Sequence, residues 1–332
     1  MFNQRRITIT EFAELVGVST ATVSRAFGDN GRISEKTRRQ ILKKAVEYGY
    51  RPNIHARNLT ARRSDTIALF YPELSGEEPD YFLAEIMLGI NRSLLPLGKR
   101  LQIHPFDRDS DSKDMNKYLD ILLDGSFAGI IVLGETTGSK TLIELCRCNA
   151  IACVSIGPAP APQFNGVWFD NDAGAFLAGK YFYDIGRKHP AFISGFSDPG
   201  KISGFKRGAA GWGNEVLIVD GGYSFRHGSL AYARVISACP ETDCVLCAND
   251  VLAIGFIKAA LDAGKRIPQD IAVIGYDDIS PARYINPALS SIALKLYEIG
   301  EKSVQIMQRL LNGETSVPSE RIECDLILRQ SS

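Results

Sequence analysis

The sequence predicts an α/β protein in which a small, basic, all-helical domain precedes two doubly wound parallel-sheet lobes. Residues 1–64 carry thirteen Lys and Arg against five Asp and Glu, a net charge of about +8. The rest of the chain carries about −8, because the whole chain is neutral. From Ser64 onward, short apolar runs alternate with longer helical stretches, a pattern typical of parallel sheets covered by helices on both faces.

Length and composition narrow the class of protein. A chain of 332 residues suits two or three domains. No apolar run approaches the roughly 18 residues of a membrane-spanning helix, and no apolar stretch follows Met1–Arg6 as in a secretory leader. We therefore expect a cytoplasmic protein without a membrane partner.

The cysteines are predicted to be structural. Cys244 and Cys247 lie in an apolar run and are predicted to be buried thiols rather than redox or metal groups, as are Cys146 and Cys148.

The basic segment has the pattern of a helix-turn-helix. Thr8 and Glu11 have the spacing of a capping box, and Gly17 ends the helix that they begin. Ser19 caps a second short helix, Thr20–Phe27. Two short helices joined by a glycine-containing turn form this motif, whose second helix faces base edges in the major groove.

A third helix completes the predicted small domain. Ser34 caps it, it covers Glu35 to Tyr48, and Gly49 follows its end. Ile41, Leu42 and Ala45 lie on one face, where they help three helices to close a core. The remaining basic residues suit contacts with phosphates: Arg38, Arg39, Lys43 and Lys44.

The acidic segment contains two series of strands with helices between them, and two series predict two lobes. The first series is Ile67–Tyr71, Leu101–Phe106, Ala128–Leu133 and Ile151–Ile156. The second is Val167–Phe169, Ala191–Ser194, Val216–Val219, Cys244–Ala248 and Ile271–Tyr276. Ligands of parallel sheets bind beyond the carboxyl ends of the strands, so two facing lobes predict a binding cleft.

Residues 8–60 resemble the headpiece of the lactose-repressor/galactose-repressor (LacI/GalR) family of bacterial regulators. The matching residues are Thr8, Ala13, Gly17-Val18-Ser19, Thr22-Val23-Ser24-Arg25, Ser34, Thr37-Arg38, Gly49-Tyr50, Pro52-Asn53, Ala56 and Leu59. The acidic segment resembles the family's effector domain, which is itself similar to periplasmic sugar-binding proteins. Its matching segments are Asp170-Asn171, Ala248-Asn249-Asp250, Ile274–Ile279 and Pro287–Ile292.

The resemblance implies a function and a domain division. It implies a homodimeric transcriptional regulator, a repressor of a metabolic operon, that binds double-stranded operator DNA and responds to a small hydroxylated effector such as a sugar. The implied regulator would require no cofactor. The implied parts are a headpiece (1–52), a hinge helix (53–63) and an effector domain (64–332). The lobes would cover about 64–163 with 295–322, and about 164–292 with 323–330, with crossings near 163–165, 291–295 and 322–325.

The resemblance also implies which headpiece residues contact DNA. Thr20, Ala21 and Arg25 would read bases, and Arg25 suits guanine because Arg pairs well with its O6 and N7. In the hinge, Leu59 would enter the minor groove as an apolar wedge. The other implied DNA contacts are Thr8, Ser19, Thr22, Ser24, Arg32, Asn53, His55, Ala56 and Arg57. Gly28 stands where the family usually has Asn, so the DNA contact or helix cap that this Asn makes in the family is not carried over to this sequence.

The implied ligand-binding residues follow strands or cap the helices after them: Tyr81, Phe82, Asp170, Lys201, Tyr223, Asn249 and Asp277. Tyr223 would stack on the ligand, while Asp277 and Asn249 would hydrogen-bond to it. Lys201 stands where the family usually has Arg, and its charge would favour an anionic substituent. The alternative is structural: the tyrosines would be core aromatics, and Asp170, Asn249 and Asp277 would only cap helices or turns.

Two other functional classes fit the sequence less well. For an enzyme, the chain lacks a phosphate-binding GxxxxGK[ST] motif, a GxSxG motif and metal-ligand spacing among its four histidines. A transport binding protein would explain the two lobes but not the basic residues 1–60. The prediction is therefore a regulator and not an enzyme.

Overall fold

A computed structural model describes residues 7–27, 33–50, 64–73, 79–108, 116–158, 165–195, 198–211, 215–315 and 317–332. The chain divides into two compact units, Met1–Ser64 and Asp65–Ser332. None of the helices in these ranges is both long and apolar enough to cross a membrane.

The first unit contains three helices: α1 Ile9–Val16, α2 Thr20–Phe27 and α3 Glu35–Glu47. The predicted capping box forms, since the Thr8 hydroxyl accepts from the Glu11 amide and the Glu11 carboxylate accepts from the Thr8 amide at 2.8 Å. Gly17 ends α1 with a left-handed φ of 72°, which glycine adopts without steric cost. The predicted helix-turn-helix is confirmed.

A small apolar core holds the three helices together. Phe12 of α1 is fully buried and stacks on Tyr50, with 4.1 Å between ring centroids and 4° between planes. The other buried members come from all three helices: Ala13, Val23, Ala26, Ile41 and Ala45. Leu42, which was predicted to share the face of Ile41 and Ala45, is exposed, because adjacent residues on a helix point in different directions. Because this core is so small, each large side chain in it contributes a large share of the stability of the unit.

The second unit contains two six-stranded sheets. The first sheet has the order β11-β5-β4-β3-β1-β2. Its strands are β1 Thr66–Glu73, β2 Arg100–Asp107, β3 Gly129–Leu133, β4 Cys153–Gly157, β5 Gly166–Phe169 and β11 Glu320–Ile322. All of its strand pairs are parallel. Its helices are α4 Tyr81–Leu94, α5 Leu119–Leu123, α6 Thr137–Cys148 and α11 Leu296–Leu311.

The second sheet has the order β12-β10-β9-β8-β6-β7. Its strands are β6 Pro190–Ser194, β7 Leu217–Asp220, β8 Cys244–Cys247, β9 Ala272–Asp277, β10 Ser290–Ala293 and β12 Asp325–Ile327. The short edge strand β12 is antiparallel to β10, and the other pairs are parallel. Its helices are α7 Asn171–Asp184, α8 Pro199–Gly208, α9 Phe225–Ala238 and α10 Asp250–Asp262.

One lobe boundary was predicted wrongly. Val167–Phe169 was placed in the second lobe, with a crossing near 163–165, but β5 pairs in parallel with β4 and so belongs to the first sheet. The first lobe therefore extends to Phe169. A run of three apolar residues predicts that a strand forms, but it carries no information about which sheet receives that strand.

The chain crosses between the lobes three times. It leaves the first sheet after Phe169, returns between Ala293 and Leu296, and crosses again between Ile322 and Asp325. An ion pair lies at the last two crossings, where the Lys295 ammonium is 2.9 Å from the Asp325 carboxylate. The two lobes are thus joined by three neighbouring segments rather than by one linker.

The cysteines differ in one respect from expectation. Cys244, Cys247 and Cys146 are buried, and burial raises the pKa of the thiols of Cys244 and Cys247 well above the ordinary range. Cys148, which was predicted to be buried, is exposed. It lies two residues after Cys146 near the end of α6, and residues two apart on a helix point in different directions.

Candidate functional site

A cavity of about 430 Å³ lies between the carboxyl ends of the two sheets. The first lobe contributes residues at or just after the ends of β1 to β5: Pro72, Arg108, Gly134, Glu135, Gly157 and Phe169. The second contributes residues at or just after the ends of β6 to β10: Asp198, Tyr223, Asn249, Asp277 and Leu294. This is the position that the fold offers for a small ligand.

Asp277, the last residue of β9, lines the cavity with an unusual backbone conformation. Its φ is 102° and that of the next residue, Asp278, is 54°, values that residues with a side chain rarely adopt. Two consecutive residues of this kind store strain, which in folded proteins concentrates at functional positions. Asp278 is held by Arg329, whose guanidinium lies 2.6 Å from its carboxylate.

Asp277 as a residue is 8% exposed, and its carboxylate lies in an acidic environment. Burial raises its pKa to about 7; the Lys201 ammonium lowers it, and the carboxylates of Asp80 and Asp198 raise it further. No group in the described part of the chain donates a hydrogen bond to this carboxylate. The carboxylate is therefore available to a ligand.

Tyr223 is positioned by two residues of the second lobe. Its hydroxyl donates to the Asp198 carboxylate at 3.1 Å. Its ring packs so closely on Gly195 that a Cβ at that position would lie 2.0 Å from the ring. Burial, followed by the nearby Asp198 charge, raises the pKa of the Tyr223 hydroxyl. Tyr223 therefore remains a neutral aromatic surface on the cavity wall.

Lys201 lines the cavity, but the protein itself engages its ammonium. The Nζ donates to the Ala248 carbonyl at 2.6 Å, lies 3.8 Å from an Asp198 oxygen and lies 4.2 Å from the centre of the Tyr276 ring. The residue is only 7% exposed. These contacts hold the ammonium in the wall of the second lobe, so little of its charge is offered to an anionic ligand.

Helix caps supply several residues of the cavity. The Asn249 Oδ1 accepts from the Leu252 amide at 2.8 Å, which leaves its amide nitrogen as a donor for a ligand. Tyr81 and Phe82 open α4, whose cap is Asp80. Capping and ligand contact are thus compatible in one residue, and the two interpretations of Asn249 do not exclude each other.

Asp170 is the exception among the predicted ligand residues. It caps α7 through the Ala173 amide at 3.0 Å and lies 3.4 Å from the Arg321 guanidinium. It does not line the cavity, although the next residue, Asn171, does. The structure thus brings together six of the seven predicted residues and gives Asp170 the capping role.

Several cavity residues were not predicted from the sequence: Asp80, Arg108, Glu135 and Asp198. Arg108 directly follows β2 and Asp198 lies four residues after the end of β6, and this position after a strand was the signal that could have revealed them. Asp198 becomes important only through Tyr223, which lies 25 residues further along the chain. Burial raises the pKa of the carboxyls of Asp80 and Glu135.

Groups beside the cavity connect the lobes across the cleft. The Arg108 guanidinium of the first lobe lies 6.0 Å from the centre of the Tyr223 ring of the second. Glu85 of α4 accepts from both the amide and the hydroxyl of Ser280, each at 2.7 Å. The relative position of the lobes is therefore set partly by groups beside the cavity.

In the first unit, α2 presents most of the predicted DNA contacts to solvent. Val23 and Ala26 face the core. The Ser19 hydroxyl caps the helix by accepting from the Thr22 amide at 3.1 Å. The exposed predicted residues are Thr8, Ser19, Thr20, Ala21, Ser24 and Arg25, and Thr22 is half-buried. Arg32 and the hinge residues Asn53, His55, Ala56, Arg57 and Leu59 lie outside the described residues.

Comparison with known families decides the identity of both units. Residues 8–53 match the family described as bacterial regulatory proteins, lacI family, and residues 180–332 match the periplasmic binding protein-like domain. The chain belongs to the LacI family. It is a DNA-binding transcriptional regulator, and the relatives it resembles are transcriptional regulators rather than enzymes.

Relatives of this LacI-family chain cover its whole length. The HTH-type transcriptional repressor CytR of Escherichia coli is 28% identical over 333 residues, 98% of this chain and 96% of its own. Catabolite control protein A of Priestia megaterium is 27% identical over 317 residues, 93% of this chain and 94% of its own. Each is a relative over both the headpiece and the effector domain.

Solved structures of the family share the fold. A complex of the transcriptional regulator CelR with cellobiose has a TM-score of 0.71 and 25% identity, and covers 98% of this chain and all of its own. The lac repressor dimer bound to operator and the anti-inducer ONPF has a TM-score of 0.84 and 22% identity, covering 98% and 99%. The second likeness shows the fold alone.

Proposed function

We propose that the chain is a repressor of metabolic genes whose DNA binding is controlled by a small hydroxylated ligand, a sugar or sugar derivative, held between the lobes. The observation that carries this proposal is the cavity of about 430 Å³ with six of the seven expected ligand residues on its wall. The complex of the related CelR with cellobiose supports the ligand class.

Three side chains would provide the main contacts with this ligand. Tyr223 offers a flat apolar surface suited to one face of a sugar ring. Asp277 accepts hydrogen bonds from hydroxyl groups, and Asn249 donates through its amide nitrogen. A ligand that contacts both lobes stabilises one relative orientation of them, and this differential affinity is what would change DNA binding.

The ligand is tested by melting the protein in the presence of candidate sugars. A true ligand at one hundred times its dissociation constant stabilises the folded protein by about 2.7 kcal/mol. We expect the same ligand to change the binding of the protein to duplexes that it selects from a random pool. Failure of every sugar ligand to change duplex binding would contradict the proposed control.

For DNA recognition, we propose that Thr20, Ala21 and Arg25 read bases while Thr8, Ser19, Thr22 and Ser24 position the headpiece on the backbone. The exposure of these residues around the buried face of α2 supports the assignment. We keep the family role for the hinge, residues 53–63, with Leu59 as a minor-groove wedge.

Replacing Arg25 by alanine should weaken specific DNA binding by roughly 1–3 kcal/mol and relax discrimination at one base position. The measurement is a gel-shift titration on the selected duplex and on its single-base variants. Arg39→Ala is the matched control for base discrimination: Arg39 is an equally charged headpiece residue, paired with Glu35 at 3.3 Å on α3, and loss of a phosphate contact there should leave the base preference unchanged. Arg25→Ala with an unaltered base preference would refute the assigned register.

We also propose a homodimer, because two headpieces are needed to read a near-palindromic operator. Exposed apolar side chains on the effector domain support an interface. Leu88, Leu95 and Ile103 lie on adjacent elements of the first lobe, and Tyr284 is 86% exposed in the second. Light scattering at micromolar concentration should report twice the mass of one chain. A monomer, with and without DNA, would contradict the proposal.

A further inference from the structure

The charged groups on the cavity wall are unevenly balanced. Four carboxylates line it, those of Asp80, Glu135, Asp198 and Asp277, against two permanently charged basic side chains. Among the described lining residues, carboxyl groups therefore outnumber permanently positive side chains by two. In a site partly shielded from water, such an imbalance acts strongly on the charge of a ligand.

The two basic residues are already engaged by the protein. Lys201 donates to the Ala248 carbonyl at 2.6 Å and lies over the Tyr276 ring, and Arg108 lies over the Tyr223 ring. Asp198 is engaged as well, since it accepts from the Gly195 amide at 2.5 Å, from Tyr223 at 3.1 Å and from Ser194 at 3.3 Å. The cations on the wall thus serve contacts within the wall.

Asp277 differs from Asp198 because no group in the described residues donates a hydrogen bond to its carboxylate, although the nearby Lys201 charge lowers its pKa. Further acidic groups lie near it: the Asp250 carboxyl is fully buried and its pKa is raised by burial and by the Asp277 charge, and the Glu85 charge acts on Asp277. A buried carboxylate without a donor is costly, and a ligand that supplies a charged donor removes this cost most completely.

We propose that the effector is a small hydroxylated cation, of the amino-sugar class, whose ammonium group binds the Asp277 carboxylate. This inference rests on the proposed function, in which the cleft binds the effector. A hydroxyl group supplies only a neutral donor, and charge-assisted hydrogen bonds are about twice as strong. A phosphate or carboxylate on the ligand faces repulsion from the acidic wall.

The test compares related sugars that carry positive, neutral or negative groups. Isothermal titration at neutral pH uses glucosamine, glucose, N-acetylglucosamine and glucose phosphate, together with the corresponding galacto and manno compounds. We expect an amine in one set to bind at least tenfold more tightly than its neutral parent, and the phosphate to bind most weakly. The affinity of the amine should fall as salt is added, because salt screens its attraction to the Asp277 carboxylate.

Two variants locate the effect. Asp277→Asn should bring the affinity of the amine to within about threefold of that of the neutral sugar, since the amide keeps the shape but not the charge. Asp262→Asn should leave the tenfold preference unchanged, because this exposed carboxylate of α10 pairs with Lys258 at 2.6 Å and does not line the cavity.

The possible results separate this inference from the proposed function. A neutral or phosphorylated sugar that binds as tightly as its amine, or a panel in which no amine binds, overturns the cationic ligand. A neutral sugar that binds and also alters duplex binding would overturn only the charge of the ligand and leave the proposed regulator intact. Tight amine binding that persists in Asp277→Asn would also overturn the inference.

Discussion

Replacing Asp277 by asparagine should stabilise the ligand-free protein at about pH 8 by up to about 4 kcal/mol. The pKa of Asp277 is raised to about 7 by burial, from about 3.9 in an unfolded chain, and each pKa unit corresponds to about 1.4 kcal/mol. Asparagine occupies nearly the same volume without requiring a buried charge. The expected gain is an upper value, because the folded protein can relax around the charge.

The pH dependence of this effect has a definite sign. The protonated Asp277 favours the folded state, so its contribution to stability is complete below about pH 4 and is lost as the pH rises through about 7. Urea unfolding of wild type and variant at several pH values between about 4 and 8 measures the difference. The two proteins should be nearly equal at the acid end and diverge toward pH 8.

Asp262→Asn serves as the control for the loss of one carboxylate, because Asp262 is exposed and paired with Lys258. Its effect should be small and nearly independent of pH. A difference between Asp277→Asn and wild type that is constant from pH 4 to pH 8 would show that the Asp277 carboxylate is not held in a desolvated site. A functional cost should accompany the gain, since the stabilised variant should respond poorly to the effector.

Replacing Phe12 by alanine should unfold the headpiece while the effector domain stays folded. Truncating a buried phenylalanine costs about 3–5 kcal/mol, which approaches the whole stability of so small a domain. Phe12 is fully buried and stacks on Tyr50, so both the cavity and the lost ring contact contribute. Specific DNA binding should disappear, whereas ligand binding and the melting of the effector domain should persist.

Leu15→Ala is the matched control, because Leu15 lies exposed on the same helix and its truncation should leave DNA binding within about twofold. Limited proteolysis with a gel-shift assay distinguishes the two variants. Headpiece cleavage should be rapid only in Phe12→Ala. A Phe12→Ala protein that resists cleavage and still binds its selected duplex would contradict the assigned core.

The architecture was largely predictable because its elements are marked locally. The apolar run Ile271–Tyr276 and the strand Ala272–Asp277 differ by one residue, and the Thr8 capping box formed as its spacing predicts. Local pattern failed where the answer depended on pairing between distant segments. The sheet that receives Gly166–Phe169 is set by its pairing with Cys153–Gly157, which no local pattern reveals.

The cavity shows the same division between local and distant information. The family resemblance identified Tyr223, Asn249 and Asp277, and their positions at or after strand ends agree with it, since the ends of parallel strands meet at one edge. The contacts that each charged side chain makes in the cavity wall could not be predicted from the sequence. The charge of Lys201 suggested an anionic ligand until the structure placed its ammonium on the Ala248 carbonyl, 47 residues along the chain. The resemblance implied that Asp170 binds the ligand, whereas its local sequence indicated only the N-cap of a helix, which is the role that the structure shows.

The three crossings between the lobes affect how the protein folds during synthesis. The first sheet obtains its edge strand β11 and its helix α11 only from residues 296–322, and the second obtains β12 only from 325–327. Neither lobe is complete when the ribosome has made most of the chain, and β5 exposes an unpaired edge until then. The headpiece consists of local contacts and has no such dependence, so it is able to fold long before the effector domain closes.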